Sequence, residues 1–171
     1  LSRGSYNKKL VRNEKVIKVP LTLQNDYRNI KMKKDSMDLI IIPNLMHHIY
    51  DHKKLIKQCK KILKKNGTLY IFEPTLREIH QFPEDYFRFT PFSLKMILTE
   101  LGFKNVNYSF SGGPFTAAAY CLDQAIQYLP QRKRSKFKKK YIGNINKFLL
   151  FDSKYKKNLV RKNTIFPMSF S

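Results

Sequence analysis

Residues 35–43 read Asp35-Ser36-Met37-Asp38-Leu39-Ile40-Ile41-Ile42-Pro43, and the unbroken run Leu39 to Ile42 decides the fold. Four consecutive apolar residues, three of them β-branched, suit a strand covered on both faces, as in a parallel sheet. Downstream, Asp51 is an apt N-cap for a segment reaching Lys65, in which Leu55, Ile56, Cys59, Ile62 and Leu63 make one apolar stripe ringed by lysines. Asn66-Gly67 stops that helix, and Thr68 to Phe72 reads as a second buried strand broken by Glu73-Pro74. Strand, helix, strand predicts a right-handed parallel crossover and an α/β architecture.

Upstream, Lys15 to Val19 reads as a short strand, followed by a polar loop at Asp26-Tyr27-Arg28-Asn29. Beyond the second strand, residues 75–90 form a polar and aromatic loop, Pro91 to Leu101 a helix with Pro in its first turn, and Val106 to Phe110 another strand. After Gly112-Gly113-Pro114, residues 115–129 make a strongly apolar helix. A lysine-rich linker at 132–140, an amphipathic segment near 141–151 and the start of a last strand at Phe166 to Phe170 complete the chain. With 171 residues, no internal repeat and no Gly/Ser linker, a single domain is the simplest partition: a core in 1–110 and a helical extension in 111–171.

The formal charge of +22, from 34 Lys and Arg against 12 Asp and Glu, draws a protein toward polyanions such as nucleic acid or an anionic membrane. The same lysine excess, with abundant Asn, Ile and Tyr, also follows from an AT-rich coding sequence, and both readings stand. No signal peptide opens the chain, and it contains no run of about 18 apolar residues, so the expectation is a cytoplasmic protein, with attachment to the inner face of the membrane as an option. Cys59 and Cys121 each sit among apolar residues and read as buried thiols.

Three blocks in order, Asp35 to Ile41, Leu45-Met46-His47-His48-Ile49, and Ile62-Leu63-Lys64-Lys65-Asn66-Gly67-Thr68-Leu69, resemble the middle of a class I S-adenosylmethionine-dependent methyltransferase. The block His80-Gln81-Phe82-Pro83-Glu84-Asp85-Tyr86-Phe87-Arg88-Phe89-Thr90-Pro91, then Gly102-Phe103, and the segment Gly112-Gly113-Pro114-Phe115 resemble a bacterial subgroup linked to sugar and cell-envelope polymer biosynthesis. The resemblance implies a Rossmann-like sheet, partial because it lacks the first strands, and S-adenosylmethionine as cofactor. The family's glycine-rich turn and ribose-binding acid have no counterpart here, and Leu1-Ser2-Arg3 resembles the residues just after the family's second strand. The expectation is therefore that the first third of the domain lies upstream and that this chain by itself is inactive.

By family position, Asp26 corresponds to the acid facing the adenine amine, with Tyr27 beside the ring; Asp26 as a simple turn cap is the competing reading. Asn44 and Leu45 end the central strand, where open sheets bind ligands. In the loop after the next strand, His80 is the candidate general base, Asp85 its orienting partner and Arg88 a clamp for an anionic group, with Tyr86 nearby. Alternatively, Asp85 and Arg88 only pin the loop while Tyr86, Phe87 and Phe89 fill the core. A metal at His47-His48 is disfavoured, since adjacent side chains diverge and no Cys or carboxylate lies at ligand spacing; His48 is expected to pack. The function expected is methyl transfer to oxygen or nitrogen of a small-molecule, glycan or lipid-linked acceptor. The alternative is a basic nucleic-acid-binding relative, either an RNA methyltransferase or an inactive scaffold.

Overall fold

A computed structural model of the chain describes residues 30–141, 143, 147–148, 150–155 and 169–170. The expected strand at 15–19, and Asp26 and Tyr27, lie outside the described residues. The described residues from Lys31 onward belong to one compact unit.

Its centre is the predicted strand, helix, strand. Strand β1 (Met37–Pro43) and strand β2 (Leu63–Pro74) run parallel, with Ile40 opposite Leu69, Ile41 opposite Tyr70 and Ile42 opposite Ile71. Helix α1 (His52–Ile62) connects them and packs against β2. Its start is fixed by the Asp51 carboxylate, which accepts a hydrogen bond from the Lys54 amide at 3.1 Å. The stripe Leu55, Ile56, Cys59 and Ile62 is buried, each aliphatic member contributing about 1.5–3 kcal/mol. The helix ends at Ile62, three residues before the Lys65 expected. Leu63 turns extended, is itself buried and pairs with Met37, so strand pairing and core burial capture it before the Asn66-Gly67 signal is reached. The β1–β2 pairing then shifts register between Met37 and Leu39, and the strands are in close contact there: a Cβ on Gly67 would come within 2.9 Å of both Leu63 and the Met37 carbonyl.

Among the described residues, cover on the β1–β2 pair is one-sided. Ile42 and Ile71 are buried on one face, whereas Leu39 and Ile41 on the other remain 51% and 57% exposed, so the two-sided burial expected of β1 is not found.

Glu73 and Pro74 extend β2 instead of breaking it, because they pair antiparallel with strand β4 (Ser169–Phe170), which also pairs with strand β3 (Phe110–Ser111). The sheet order is β1-β2-β4-β3. Of the strand expected at 106–110, Phe110 alone joins the ladder. Helix α2 (Pro91–Glu100) begins with Pro91 and a capping box in which Thr90 and Ser93 satisfy each other's amides, and Gly102, at φ 78°, follows its end. Helix α3 (Pro114–Ile126) begins on the proline of Gly112-Gly113-Pro114. The lysine-rich stretch read as a linker is helix α4 (Gln131–Tyr141), tied back to the end of α3 by Arg134, which donates to the carbonyls of Gln127 and Leu129, and by a Lys138–Asp123 ion pair. Residues 150–155 are helical.

Candidate functional site

Parallel pairing sets the carboxyl ends of β1 and β2 side by side, the end at which open α/β sheets bind ligands. Beyond β1, Asn44 takes a left-handed conformation at φ 49°, tolerable for Asn, and the chain winds into a 3-10 turn at Met46–His48. That turn is anchored by Glu73 at the end of β2. The side chain of Glu73 is fully buried. One carboxylate oxygen accepts the amides of Leu45 at 2.9 Å and Met46 at 2.8 Å, and the other faces His47 Nδ1 at 2.6 Å. Three hydrogen bonds offset the desolvation that burying a carboxylate costs. Because a carboxylate only accepts, His47 Nδ1 carries the proton.

His48 is half-buried. Its Nδ1 lies 2.6 Å from the Glu84 carbonyl, and its Nε2 lies 3.1 Å from His80 Nε2. Burial pulls the His48 pKa below its ordinary value, only partly opposed by the Glu84 carbonyl. His80 Nδ1 sits 3.0 Å from the Glu78 carbonyl and 3.3 Å from Asp85, while the His80 amide donates to the same Asp85 oxygen at 3.1 Å. The three imidazoles cluster, with ring centroids 3.9–5.4 Å apart.

Asp85 and Arg88 form a fork-to-fork pair, Nη1 donating at 2.5 Å and Nη2 at 3.0 Å. The guanidinium holds the Asp85 carboxyl well below the usual carboxylate range, and Asp85 in turn raises Arg88. Arg88 spends its remaining donors on the carbonyls of Arg77, Glu78 and Phe87. The guanidinium is thus engaged entirely within the loop, which is the geometry of the pinning alternative. The core-filling half of that alternative holds for Phe89, which is buried, and not for Tyr86, which is 44% exposed and packs edge-on against Tyr50. Arg77, Ile79, Asp85, Tyr86, Phe87 and Arg88 line a shallow, open cavity of about 290 Å³. At its flank, burial pushes the Glu78 carboxyl up, but hydrogen bonds from the Tyr120 hydroxyl and Arg77 outweigh this and leave it below its ordinary value.

The structure thus gathers His80, Asp85 and Arg88, with Tyr86 on the adjoining cavity wall. It adds His47, His48 and Glu73, which sequence reasoning left out of the site. The signal available for Glu73 was a lone acid closing an apolar strand. Asn44 is exposed at the end of β1, whereas Leu45 has its amide on Glu73 and its carbonyl on the His48 amide at 3.0 Å. Cys121 is exposed and only Cys59 is buried, contrary to the expectation of two buried thiols.

Residues 4–71 match the sequence profile of a family described as a methyltransferase domain. No curated protein matches the chain. Among solved structures, a SAM-dependent methyltransferase from Archaeoglobus fulgidus is similar at 15% identity and TM-score 0.51, over 86% of this chain and 64% of its own. A SAM-dependent methyltransferase from Aquifex aeolicus is similar at 17% identity and TM-score 0.39, over 53% of this chain and 46% of its own. Phosphoethanolamine N-methyltransferase 2 of Haemonchus contortus, solved with S-adenosyl-L-methionine, is similar at 16% identity and TM-score 0.48, over 85% of this chain and 34% of its own. The chain thus spans between 34% and 64% of the length of these structures. The fold is α/β and Rossmann-like, a partial methyltransferase sheet with parallel strands and helices. The profile match, over residues 4–71, is to a methyltransferase domain and resolves no subgroup.

Proposed function

We propose that this chain forms the acceptor-facing part of an S-adenosylmethionine-dependent methyltransferase acting on an oxygen or nitrogen of a small-molecule, glycan or lipid-linked acceptor, as in the subgroup its His80–Thr90 block resembles. The observation that carries this reading is the state of His80. Its Nδ1 faces two acceptors, the Glu78 carbonyl and Asp85, so the proton sits there and Nε2 keeps a lone pair. A side chain 21% exposed, beside an open cavity and at the carboxyl end of a parallel strand, is placed to take a proton from an acceptor.

Of the cofactor contacts expected, the exposed Asn44 fits, since its amide side chain and left-handed turn stand at the ligand-binding end of β1; Leu45 fits poorly, its peptide being committed to Glu73 and His48. When bound, the cofactor supplies an electrophilic methyl group. The work of the protein is to seat the acceptor near Tyr86, keep His80 in one tautomer through Asp85, and keep Asp85 in place through Arg88.

His80→Ala, assayed with labelled cofactor in a protein that includes any upstream residues of the domain, is expected to lower turnover by about 10²–10⁴-fold with the melting temperature held. Loss of turnover and folding together would remove the base assignment.

A second reading is favoured by α4, which carries Arg132, Lys133, Arg134, Lys136, Lys138, Lys139 and Lys140, has no acid in its first turn and buries no residue. No helix among the described residues is long and apolar enough to cross a membrane. We infer that α4 instead draws the protein to an anionic surface. Flotation with liposomes containing anionic lipid should carry the protein, and flotation with neutral ones should not; equal recovery removes this reading.

A further inference from the structure

We propose that His47, His48 and His80 bind one divalent transition-metal ion of the zinc class. Each imidazole offers one ligand atom, and these atoms lie within 4.8 Å of one another. The stronger argument is where the protons are. His47 Nδ1 donates to the Glu73 carboxylate, His48 Nδ1 to the Glu84 carbonyl and His80 Nδ1 to the Glu78 carbonyl. Three acceptors thus fix all three rings in the same tautomer, with Nε2 unprotonated. This is the arrangement metal-bound histidines show, the far ring nitrogen held by a carboxylate or carbonyl that orients the ring and raises its basicity.

The arrangement is also frustrated without a cation. His48 Nε2 and His80 Nε2 face each other at 3.1 Å, and in these tautomers each presents a lone pair. A cation between them, either a proton making an N–H···N bond or a metal ion, resolves the repulsion, and the metal titration below separates the two. Zinc bonds of 2.0–2.1 Å in a tetrahedron place ligand nitrogens about 3.3–3.4 Å apart, close to the His48–His80 separation. The upper bound on the separations, 4.8 Å, closes to a tetrahedral edge by about 1.5 Å of relative movement, within reach of small side-chain rotations. Burial runs from His47 (buried) through His48 (half-buried) to His80 (exposed), so an ion has a way in. Three imidazoles leave a fourth position open, and an all-nitrogen set favours zinc, cobalt, nickel or copper over magnesium and calcium, which prefer oxygen.

Metal binding does not rest on the methyl-transfer reading, and it sets an ion and a proton in competition for His80 Nε2. The test uses the full chain, stripped of metal and carrying Cys121→Ser to remove the exposed thiol. Zinc is titrated by calorimetry and cobalt by visible absorption, with magnesium as the control, and no cofactor or acceptor is present. The expected result is one equivalent of zinc or cobalt, a tetrahedral cobalt spectrum and no magnesium binding. His80→Ala, on an exposed loop, should weaken zinc at least 10-fold, and Glu73→Gln should weaken it by about 10–100-fold by releasing the His47 ring. If Glu73→Gln does not fold, His48→Ala replaces it with the same expectation. Substoichiometric zinc, or zinc affinity unchanged in His80→Ala, overturns the proposal, the latter by placing the ion elsewhere.

Discussion

Arg88 shows how a single side chain can be read two ways until its donors are traced. An arginine in a loop over a sheet end invites an anionic ligand, yet this one has its fork on Asp85 and its other N–H groups on three carbonyls. Arg88→Lys keeps the charge and loses the fork. It should lower unfolding free energy by about 1–3 kcal/mol, since buried acceptors lose their partners, and urea denaturation measures this. A variant with unchanged stability and a raised KM for an anionic acceptor would instead return Arg88 to the clamp role. The two thiols offer a check of α1 packing at the same scale. Cys59 is 1% exposed and burial pushes its thiol up to about 11, so at pH 8 it is neither accessible nor ionised. A thiol reagent should modify Cys121 alone in the native protein and Cys59 only after unfolding; two equivalents under native conditions would contradict the buried stripe.

At the scale of elements, the start of α3 depends on a residue far along the chain. Its N-cap, Gly113, has no side chain to offer, and Asp152 fills that place, accepting the amides of Phe115 at 3.0 Å and Thr116 at 2.9 Å and the Thr116 hydroxyl. A carboxylate there also meets the positive end of the helix dipole. Glycine is needed at 113 because a Cβ would lie 2.5 Å from the Asp152 carboxylate. Asp152→Ala should cost about 1–2 kcal/mol, and Gly113→Ala should cost more in the wild type than in an Asp152→Ala background, where the clash is gone. A thermal-denaturation cycle reads the difference, and additive costs would refute the contact. Dependence at this range marks what the sequence could disclose. The core of β1, α1 and β2 was legible because an apolar run and a 3.6-residue stripe are local signals. The helix α4 was not, since it has no apolar stripe and is held by contacts to the end of α3. In the site, His80, Asp85 and Arg88 were legible as polar residues crowded into one loop. Glu73 was not, because its partners lie 26 to 28 residues away and only the parallel pairing of β1 with β2 delivers them.

At the scale of the whole molecule, two features pull in opposite directions. Leu39, Ile41 and Tyr70 share one face of the β1–β2 pair and are 51%, 57% and 45% exposed, an apolar surface that favours contact with other apolar surfaces. The net charge of +22 opposes any approach between copies of the chain. Charge repulsion is screened within about 10 Å at 0.1 M salt, whereas hydrophobic contact is not weakened by salt. Self-association should therefore rise as salt is raised from about 0.01 M to 0.3 M, and binding to anionic liposomes or RNA should fall over the same range. Leu39→Lys with Ile41→Thr should abolish the first response and leave the second, because α4 is untouched. Light scattering and liposome flotation across the salt series separate the two. Self-association that falls with salt in the wild type would mean that charge pairing, and not the exposed sheet face, brings the copies together.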